Sequence, residues 1–420
     1  MLFRGIRKGT HHPKNELIGV LDIGSSKVSC VIARVDGPDY LQVIGVGHQL
    51  SKGLRGGHII DMQEAELSIL NAVHLAEQMA KEIIREVYIN VPSCFSRTVG
   101  AELPVPGHAV DDADMRRLLT LARQVQEPQG QQPIHTIPTS YEIDGRKGIR
   151  DPRSMYGETL GVDIHTIYSS TSNLRNLSTC IARCHLAIKA FVATPFASGL
   201  ATLVEDEIDL GVTVIDMGAG NTSIGVFFEG NIIHTDSIPV GGGHVTNDIA
   251  RVLSTPVIQA ERLKTLHGSV LSTASDEREM VKVPQIGEIE DHPNRQISKA
   301  ELVRIIKPRI EETFDLVRSR LNIQGLANKI SHRVVLTGGG CQLPGIQEMA
   351  SLMLEKQVRI GRPLQMQGLH DSIRGPSFAT CVGLLAYAHM EQSENTMFSQ
   401  LLKDPKTIFG RVGLWLRENL

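Results

Sequence analysis

Two short stretches constrain this 420-residue chain more than anything else in it: DIGSSK, Asp22 to Lys27, and DMGAGNT, Asp216 to Thr222. Each closes an apolar run rich in β-branched residues, sets a carboxylate at the strand end and follows it with glycine and small polar side chains. Leu17 to Val35 therefore reads as strand, turn, strand, and Leu41 to Val46 as a third strand. Asp61 to Arg85 carries Leu67, Leu70, Val73, Ala76, Met79 and Ile83 at helical spacing. From Thr213 the same order returns. A long helix from Ser298 to about Leu321 follows, opened by Ser298 and Glu301 as a capping box and expected to bend at Pro308. The repetition implies two related halves rather than one large sheet.

The chemistry follows from the turns. Glycine lets backbone N–H groups approach phosphate oxygens, and the hydroxyls add donors. A carboxylate beside phosphate would be repelled, so Asp22 and Asp216 would act through a magnesium ion or its waters. One Asp-Gly hairpin is common in any sheet; two at equivalent places make a clamp. A third cluster, RVVLTGGGCQLPGI from Arg333 to Ile346, leaves bare backbone against which a ring or ribose could lie. It is neither a Walker A loop nor a GxGxxG fingerprint. IPVGGGHVTNDIA is a further glycine turn entering a helix, and AERLKTLHG places Glu261 and Lys264 at i, i+3, as a surface ion pair or as part of a ligand wall.

Composition excludes several classes. A net charge of −3 offers no field for nucleic acid, and no apolar run approaches the ~18 residues of a membrane span. The N-terminus, MLFRGIRKGTHHPKNE, has basic residues without the apolar core of a signal peptide, and reads as a disordered basic arm. Cys30, Cys94, Cys341 and Cys381 stand alone, and Cys180 and Cys184 lie four apart on an expected helix; all read as buried thiols of a cytoplasmic protein. The 16 histidines show no HExxH or HxxxH spacing, so no metal site of protein ligands is expected.

Taken in order, the Asp-Gly hairpin, insert, second hairpin, ExxK helix and TGGG turn resemble the ATP-binding frame of the actin, heat-shock chaperone and sugar-kinase superfamily. The insert narrows this. PIHTIPTSYEIDG, Pro133 to Gly145, and GIRDPRSMYGETL, Gly148 to Leu160, are similar to the patterns HxIPxxYxID and GIxxPxxMxGxxL of FtsA, the actin-like bacterial division family. IPVGGGHVTNDIARVLSTPVIQAERLKTLHG and RVVLTGGGCQLPGI followed by VRIGRPL also resemble it. The resemblance runs from about Leu17 to His389 and resumes in the final helix.

It implies an α/β, actin-like ATPase fold with two related halves around a nucleotide cleft. A disordered arm would occupy 1–16, subdomain 1A 17–86 and 166–196, subdomain 1C 87–165, subdomain 2A 197–230 and 298–365, and subdomain 2B 231–297. Residues 366–390 would return to 1A, 391–403 form a linker and 404–420 an amphipathic membrane-targeting helix. By the same resemblance, Asp22, Gly24, Ser25, Ser26 and Lys27 would meet the ATP phosphates and Mg2+. Asp216, Gly218, Gly220 and Thr222 would close the opposite side, Gly241 and Gly242 edge the cleft, Glu261 and Lys264 hold ribose or adenine, and Gly338, Gly339 and Gly340 back the base. Many relatives have a GGGT-like second loop, interrupted here by Ala219 and Asn221. The segment crossing between the halves, FVATPFASGLATL, holds no Asp, Glu, Gln or His. Slow or negligible turnover is therefore expected; an active phosphotransferase or chaperone-like ATPase is the alternative.

The tail, TIFGRVGLWLRENL, holds the only tryptophan. Asp404 and Pro405 suit a helix start. At ~100° per residue Ile408, Phe409, Val412, Trp415, Leu416 and Leu420 fall within an arc of roughly 140°, with Arg411 and Arg417 outside it. Such a helix could pack on protein or lie in a lipid interface. The family resemblance implies the second: self-association on an anionic membrane surface, at the cytoplasmic face of the inner membrane at the division site, with avidity making a weak anchor firm. Arg309 and Glu312 match a PRxxE element, which implies contact with the C-terminal tail of FtsZ, the tubulin-like division protein; a solvated helix face is the other reading. The insert would meet a neighbouring subunit or later division proteins.

Overall fold

The computed structural model describes residues 16–35, 41–123, 127–287, 295–322, 332–364 and 369–401. Around the first Asp-Gly turn, β1 (Glu16–Ile23) and β2 (Lys27–Val35) pair antiparallel, and β3 (Leu41–Leu50) adds to β2. A small ladder, β4 (Leu54–Arg55) and β5 (His58–Ile59), turns at Gly56 and Gly57. Asp61 caps α1 (Met62–Ala80), its carboxylate accepting from the Gln63 and Glu64 N–H groups. The inner face of α1 buries Ala65, Ile69, Ala72, Val73 and Ala76 against the sheet, and β6 (Glu86–Val91) extends that sheet parallel to β1.

The insert is a unit of its own. Strands β7 (Phe95–Pro104), β8 (Gln131–Ile143), β9 (Arg146–Ile149) and β10 (Thr159–Ser170) form an antiparallel sheet in the order β7-β10-β8-β9, and α2 (Asp112–Arg123) packs on it. Its core is small: Val105, Val110, Leu118, Ile143, Leu160, Val162 and Ile164 are all buried. The chain returns through α3 (Thr171–Arg183) and β11 (Ala187–Ala193), the latter parallel to β6. It then crosses to the second half through α4 (Thr194–Thr202) and α5 (Glu205–Leu210).

The second half opens with the hairpin β12 (Val212–Met217) and β13 (Thr222–Phe228), joined by β14 (Asn231–Ile238). There follow α6 (Gly242–Leu253), α7 (Val257–His267), a two-stranded ladder of β15 (Met280–Val283) and β16 (Arg295–Ser298), and α8 (Lys299–Leu321). Ser298 caps α8 by accepting from Glu301 N at 3.2 Å, and the helix continues through Pro308. Then come β17 (Arg333–Thr337), α9 (Ile346–Leu354) and β18 (Gln357–Ile360), and α10 (Ala379–Leu401) returns to the first half. The sheet orders β3-β2-β1-β6-β11 and β14-β13-β12-β17-β18 are the same figure, three antiparallel strands followed by two parallel ones. The two halves inferred from the repeated turn are thus topological copies.

Three expected boundaries move. Residues 87–91, read as the start of the insert, belong to β6 of the first large sheet. Residues 231–238, assigned to the accessory subdomain, form β14 of the second large sheet. The stretch from 391 onward, read as a linker, continues as helix in α10 as far as Leu401. The basic arm at 1–15 and the amphipathic segment at 404–420 lie outside the described residues. All six cysteines are free and buried.

Two contacts tie the pieces together. On β14, the Thr235 N–H donates to Ser96 Oγ of β7 at 2.7 Å, and Ser96 Oγ donates to Thr235 O at 3.1 Å, joining insert to second half. On β8, His135 Nε2 accepts from the Ala193 N–H at 3.0 Å, and its ring meets Phe196 and Tyr387 edge-on at 5.3 and 5.6 Å. The insert therefore rests on α4 and α10 as well. Behind it, α10 crosses α4 so closely that a Cβ on Gly383 would stand 1.8 Å from the Ala197 carbonyl oxygen. Gly383→Ala should force the two helices apart and cost about 2–3 kcal/mol, read as a lowered denaturant midpoint.

Burial pushes the His135 imidazole down from 6.5 to about 4. Its folded-state pKa lies below the unfolded one, so the stability it contributes is present above about 6.5 and lost as pH falls toward 4. The shift corresponds to on the order of 3 kcal/mol. Thermal melts between pH 7.5 and 5, conditions spanning most of that range, should fall less steeply for His135→Gln than for the parent chain.

Candidate functional site

A cleft of about 1230 Å³ separates the two halves. One wall is the β1–β2 turn, with Asp22, Gly24, Ser25, Ser26 and Lys27. Asp216, Gly218 and Gly220 of the β12–β13 turn face it, and Gly241 and Gly242 at the start of α6 form the rim. Glu261 and Lys264 of α7, and Gly338, Gly339 and Gly340 after β17, complete the second half's side. Among the residues expected here only Thr222 is misplaced. It is fully buried, and its hydroxyl donates to Val240 O at 2.8 Å, bracing β13 against the segment before α6. Successive strand residues face opposite sides, so Asn221 lines the cleft and Thr222 turns away from it.

At the base of the cleft both aspartates are buried. Burial raises the Asp22 carboxyl to about 7; the Asp216 charge adds to that rise and Lys27 opposes it. Burial also raises Asp216, opposed by hydrogen bonds from Ser198 Oγ and from Thr380 Oγ1, the latter at 2.9 Å. The Lys27 ammonium lies 3.1 Å from the centroid of the Phe378 ring, and burial lowers its pKa. Across the site, Asn221 Nδ2 donates to Ser93 Oγ at 2.9 Å. Its buried Oδ1 has no hydrogen-bond partner among the described residues. Two under-compensated carboxylates and an unpartnered amide oxygen, ringed by glycine backbone, suit a polyphosphate that arrives with a hydrated divalent cation.

The halves nearly touch here. A Cβ on Gly220 would stand 2.5 Å from Ser25 Oγ and 2.8 Å from Gly56 N. Only glycine lets the second turn approach the first so closely.

On the opposite side Lys264 Nζ reaches Glu261 Oε2 at 2.7 Å, Thr246 Oγ1 at 2.9 Å and Gly242 O at 3.1 Å. Glu261 and Lys264 do form an ion pair, and that pair is part of the cleft wall. Thr246 stands one helical turn after Gly242 on α6, a spacing the sequence shows. Asn90 was not legible in the same way. Its side chain accepts from the Ile23 N–H at 2.7 Å and steadies the first turn from β6, with no motif around it. Ser198 and Thr380 are likewise hidden, on helices far apart in the chain.

Arg309 of α8 makes a two-pronged bond to Asp248 of α6, with Nε at 2.7 Å and Nη2 at 3.1 Å, and also pairs with Glu312. Arg309 and Asp248 line the far end of the cleft. The Glu312 side chain is half exposed. The set expected to meet a membrane, Ile408, Phe409, Arg411, Val412, Trp415, Leu416, Arg417 and Leu420, lies outside the described residues. Among the described residues no helix is long and apolar enough to cross a membrane.

Two sheets of one topology, facing across a cleft into which each sends an Asp-Gly hairpin, define an actin-like protein. Solved structures share the fold. The PilM-PilN type IV pilus biogenesis complex superposes with a TM-score of 0.62 at 17% identity, covering 90% of this chain and 99% of that one. MreB5 of Spiroplasma citri bound to ADP gives 0.52 at 15% identity, covering 91% and 99%. The family model for cell division protein FtsA matches residues 213–383, and that for the SHS2 domain inserted in FTSA matches 93–168, the insert described above. Cell division protein FtsA of Agrobacterium fabrum is 43% identical, spanning 97% of this chain and 95% of its own length. The proteins of that name from Pseudomonas aeruginosa and Escherichia coli are 34% and 31% identical, spanning 91% and 96% of this chain and 92% and 96% of their own. The chain belongs to the FtsA family of cell division proteins.

Ser198→Ala would remove one of the two neutral donors on Asp216. Loss of a bond to a buried acceptor should cost about 1–3 kcal/mol, measured as a shift of the unfolding midpoint without ligand.

Proposed function

We propose that the chain binds ATP with magnesium in the cleft, self-associates, and tethers FtsZ filaments to the cytoplasmic face of the inner membrane through residues 404–420. The observation that carries the nucleotide reading is the pair of buried carboxylates, one at the end of each hairpin, facing a glycine-walled cleft. Magnesium, when bound, supplies the positive charge that lets carboxylates and phosphates share one site. Asp22 and Asp216 would hold its waters, the backbone of both turns and the Ser25 and Ser26 hydroxyls would meet the phosphates, and Lys264, Glu261 and the Gly338–Gly340 turn would take the nucleoside.

Turnover is slow in this reading. The crossing helix α4, TPFASGLAT, brings Thr194 to the cleft and Ser198 to Asp216, and no acid, amide or imidazole that could orient an attacking group. That favours a ligand-controlled scaffold over a phosphotransferase. The FtsZ tail would dock beside α8 at Glu312. Because Arg309 also braces α6 through Asp248, Glu312 is the cleaner residue to change.

A fluorescent ATP analogue should bind in a magnesium-dependent way. Asp216→Asn should weaken it about tenfold or more, with circular dichroism unchanged; equal affinity in the two chains would refute the assigned cleft. For the tether, the full chain with ATP should pellet with liposomes, and a chain ending at Lys403 should not. If neither pelleted, the amphipathic segment would be a packing helix.

A further inference from the structure

We infer that the seam between the insert and the rest of the molecule is an acid-sensitive joint. His135, His165 and His234 keep the insert docked while their rings are neutral, and protonating them lets it lift away. Neither nucleotide nor membrane is needed for this.

The insert leaves the first half after β6 and rejoins it through α3, so its seat over the second half depends on contacts from the side. Ser96 and Thr235 are joined by two bonds, Asn231 Nδ2 donates to Thr139 O at 3.4 Å, and Ile167 shares a core with Phe227 and Ile232. The insert sheet sets Thr98, His165 and Ile137 in one row and Ser96, Ile167 and His135 in the next. Residues two apart along a strand share a face. The row of His165 therefore looks the same way as the Ser96 hydroxyl, toward β14 and its His234.

Hydrogen bonding at these rings has room for one proton each and not two. A neutral imidazole has one donor and one acceptor nitrogen; a protonated one has two donors. His135 Nε2 accepts from the Ala193 N–H at 3.0 Å, so a proton there would set N–H against N–H. His165 is fully buried; its Nδ1 lies 3.1 Å from Thr98 Oγ1, and its buried Nε2 has no partner among the described residues. The buried Nε2 of His234 has none either. A second proton on any of the three would be an unpaired buried donor carrying charge, which is costly. Lifting the insert returns the rings to water and removes that cost.

The acids nearby are engaged elsewhere. Asp236, two residues along β14 from His234, accepts from the Ser237 N–H at 2.7 Å and lies 3.5 Å from Arg320 of α8. Asp163, two along β10 from His165, pairs with Lys147 at 3.8 Å. Arg97 alternates to the other face of β7, and burial keeps the Cys94 thiol protonated. Toward His135, α4 brings no charge and α10 brings the Tyr387 phenol. Burial pushes His165 down to about 3, and His234 and His135 add to that fall. Burial also lowers His234, opposed by Asp236. All three are lowered while docked and return toward 6.5 once released. Docking is therefore at full strength above about 6.5 and weakens below it, by about tenfold per pH unit for each ring.

The experiment is hydrogen–deuterium exchange of the full chain at pH values of about 7.5 and 5.5, on either side of the ordinary imidazole range, corrected for the intrinsic slowing of exchange in acid. The Thr235 and Ala193 amides report docking, because both donate to insert side chains. Their protection should fall about a hundredfold or more at the lower pH, while β1 and β12 keep theirs. In His165→Gln with His234→Gln only His135 still titrates, so the fall should shrink to about tenfold at most. Should that variant be loose already at the higher pH, His165→Gln and His234→Gln singly, each removing one tenfold step, decide in its place. Unchanged protection of Thr235 and Ala193 in the parent would overturn the inference. An equal loss in β1 and β12 would also overturn it, as ordinary acid unfolding, and so would a loss in the variants as large as the parent's.

Discussion

Two carboxylates buried face to face are the constraint around which this molecule is built. Asp22 and Asp216 end the first strand of each half, so the protein's symmetry itself brings like charges together at its centre. Burial raises both, and the compensation comes from elsewhere in the chain: Lys27 from β2, Ser198 from the crossing helix, Thr380 from the returning one. The last two can share Asp216 only because α4 and α10 lie in backbone contact, and that contact exists only because residue 383 has no side chain. The site thus reaches into the packing of helices well behind it. An uncompensated buried charge is costly in a free-standing protein; at a binding site it is held ready for a partner of opposite sign.

How much of this was visible in the residues depends on what kind of signal each element leaves. The two hairpins were legible because glycine and aspartate punctuate runs of β-branched residues, and their repetition disclosed the paired halves. Most of the site walls followed, since they are glycine turns at strand ends, and the α7 wall was marked by the spacing of Glu261 and Lys264. Thr222 was misjudged because proximity in a motif was read as proximity in space, whereas strand alternation turns every second residue inward. Strands β6 and β14 were assigned to the wrong units for a related reason. A buried strand that finishes one sheet looks the same in sequence as one that opens the next, and only pairing decides.

The polar run after Glu391 failed differently. Its first residues, Gln392 to Thr396, include no apolar side chain, so it reads as linker, yet as the continuation of α10 it needs no new nucleation. Asn90, Ser198 and Thr380 leave no signal of any kind. Each is an ordinary side chain in an ordinary element, and its role comes from where remote parts of the chain meet. Such residues are out of reach of motif reading, because nothing local distinguishes them.

The length and course of α10 have a mechanical consequence. Twenty-three residues make a rod of about 35 Å. One end sits on the cleft wall at Thr380, and the helix runs from there to Leu401. Its first half is packed in the core from Ala379 to Ala388, so the helix moves with that body, and a tilt of about 10° about the cleft end would displace the far end by about 6 Å. Small adjustments around the central carboxylates would arrive at the chain's exit as changes of aim, enlarged by geometry alone.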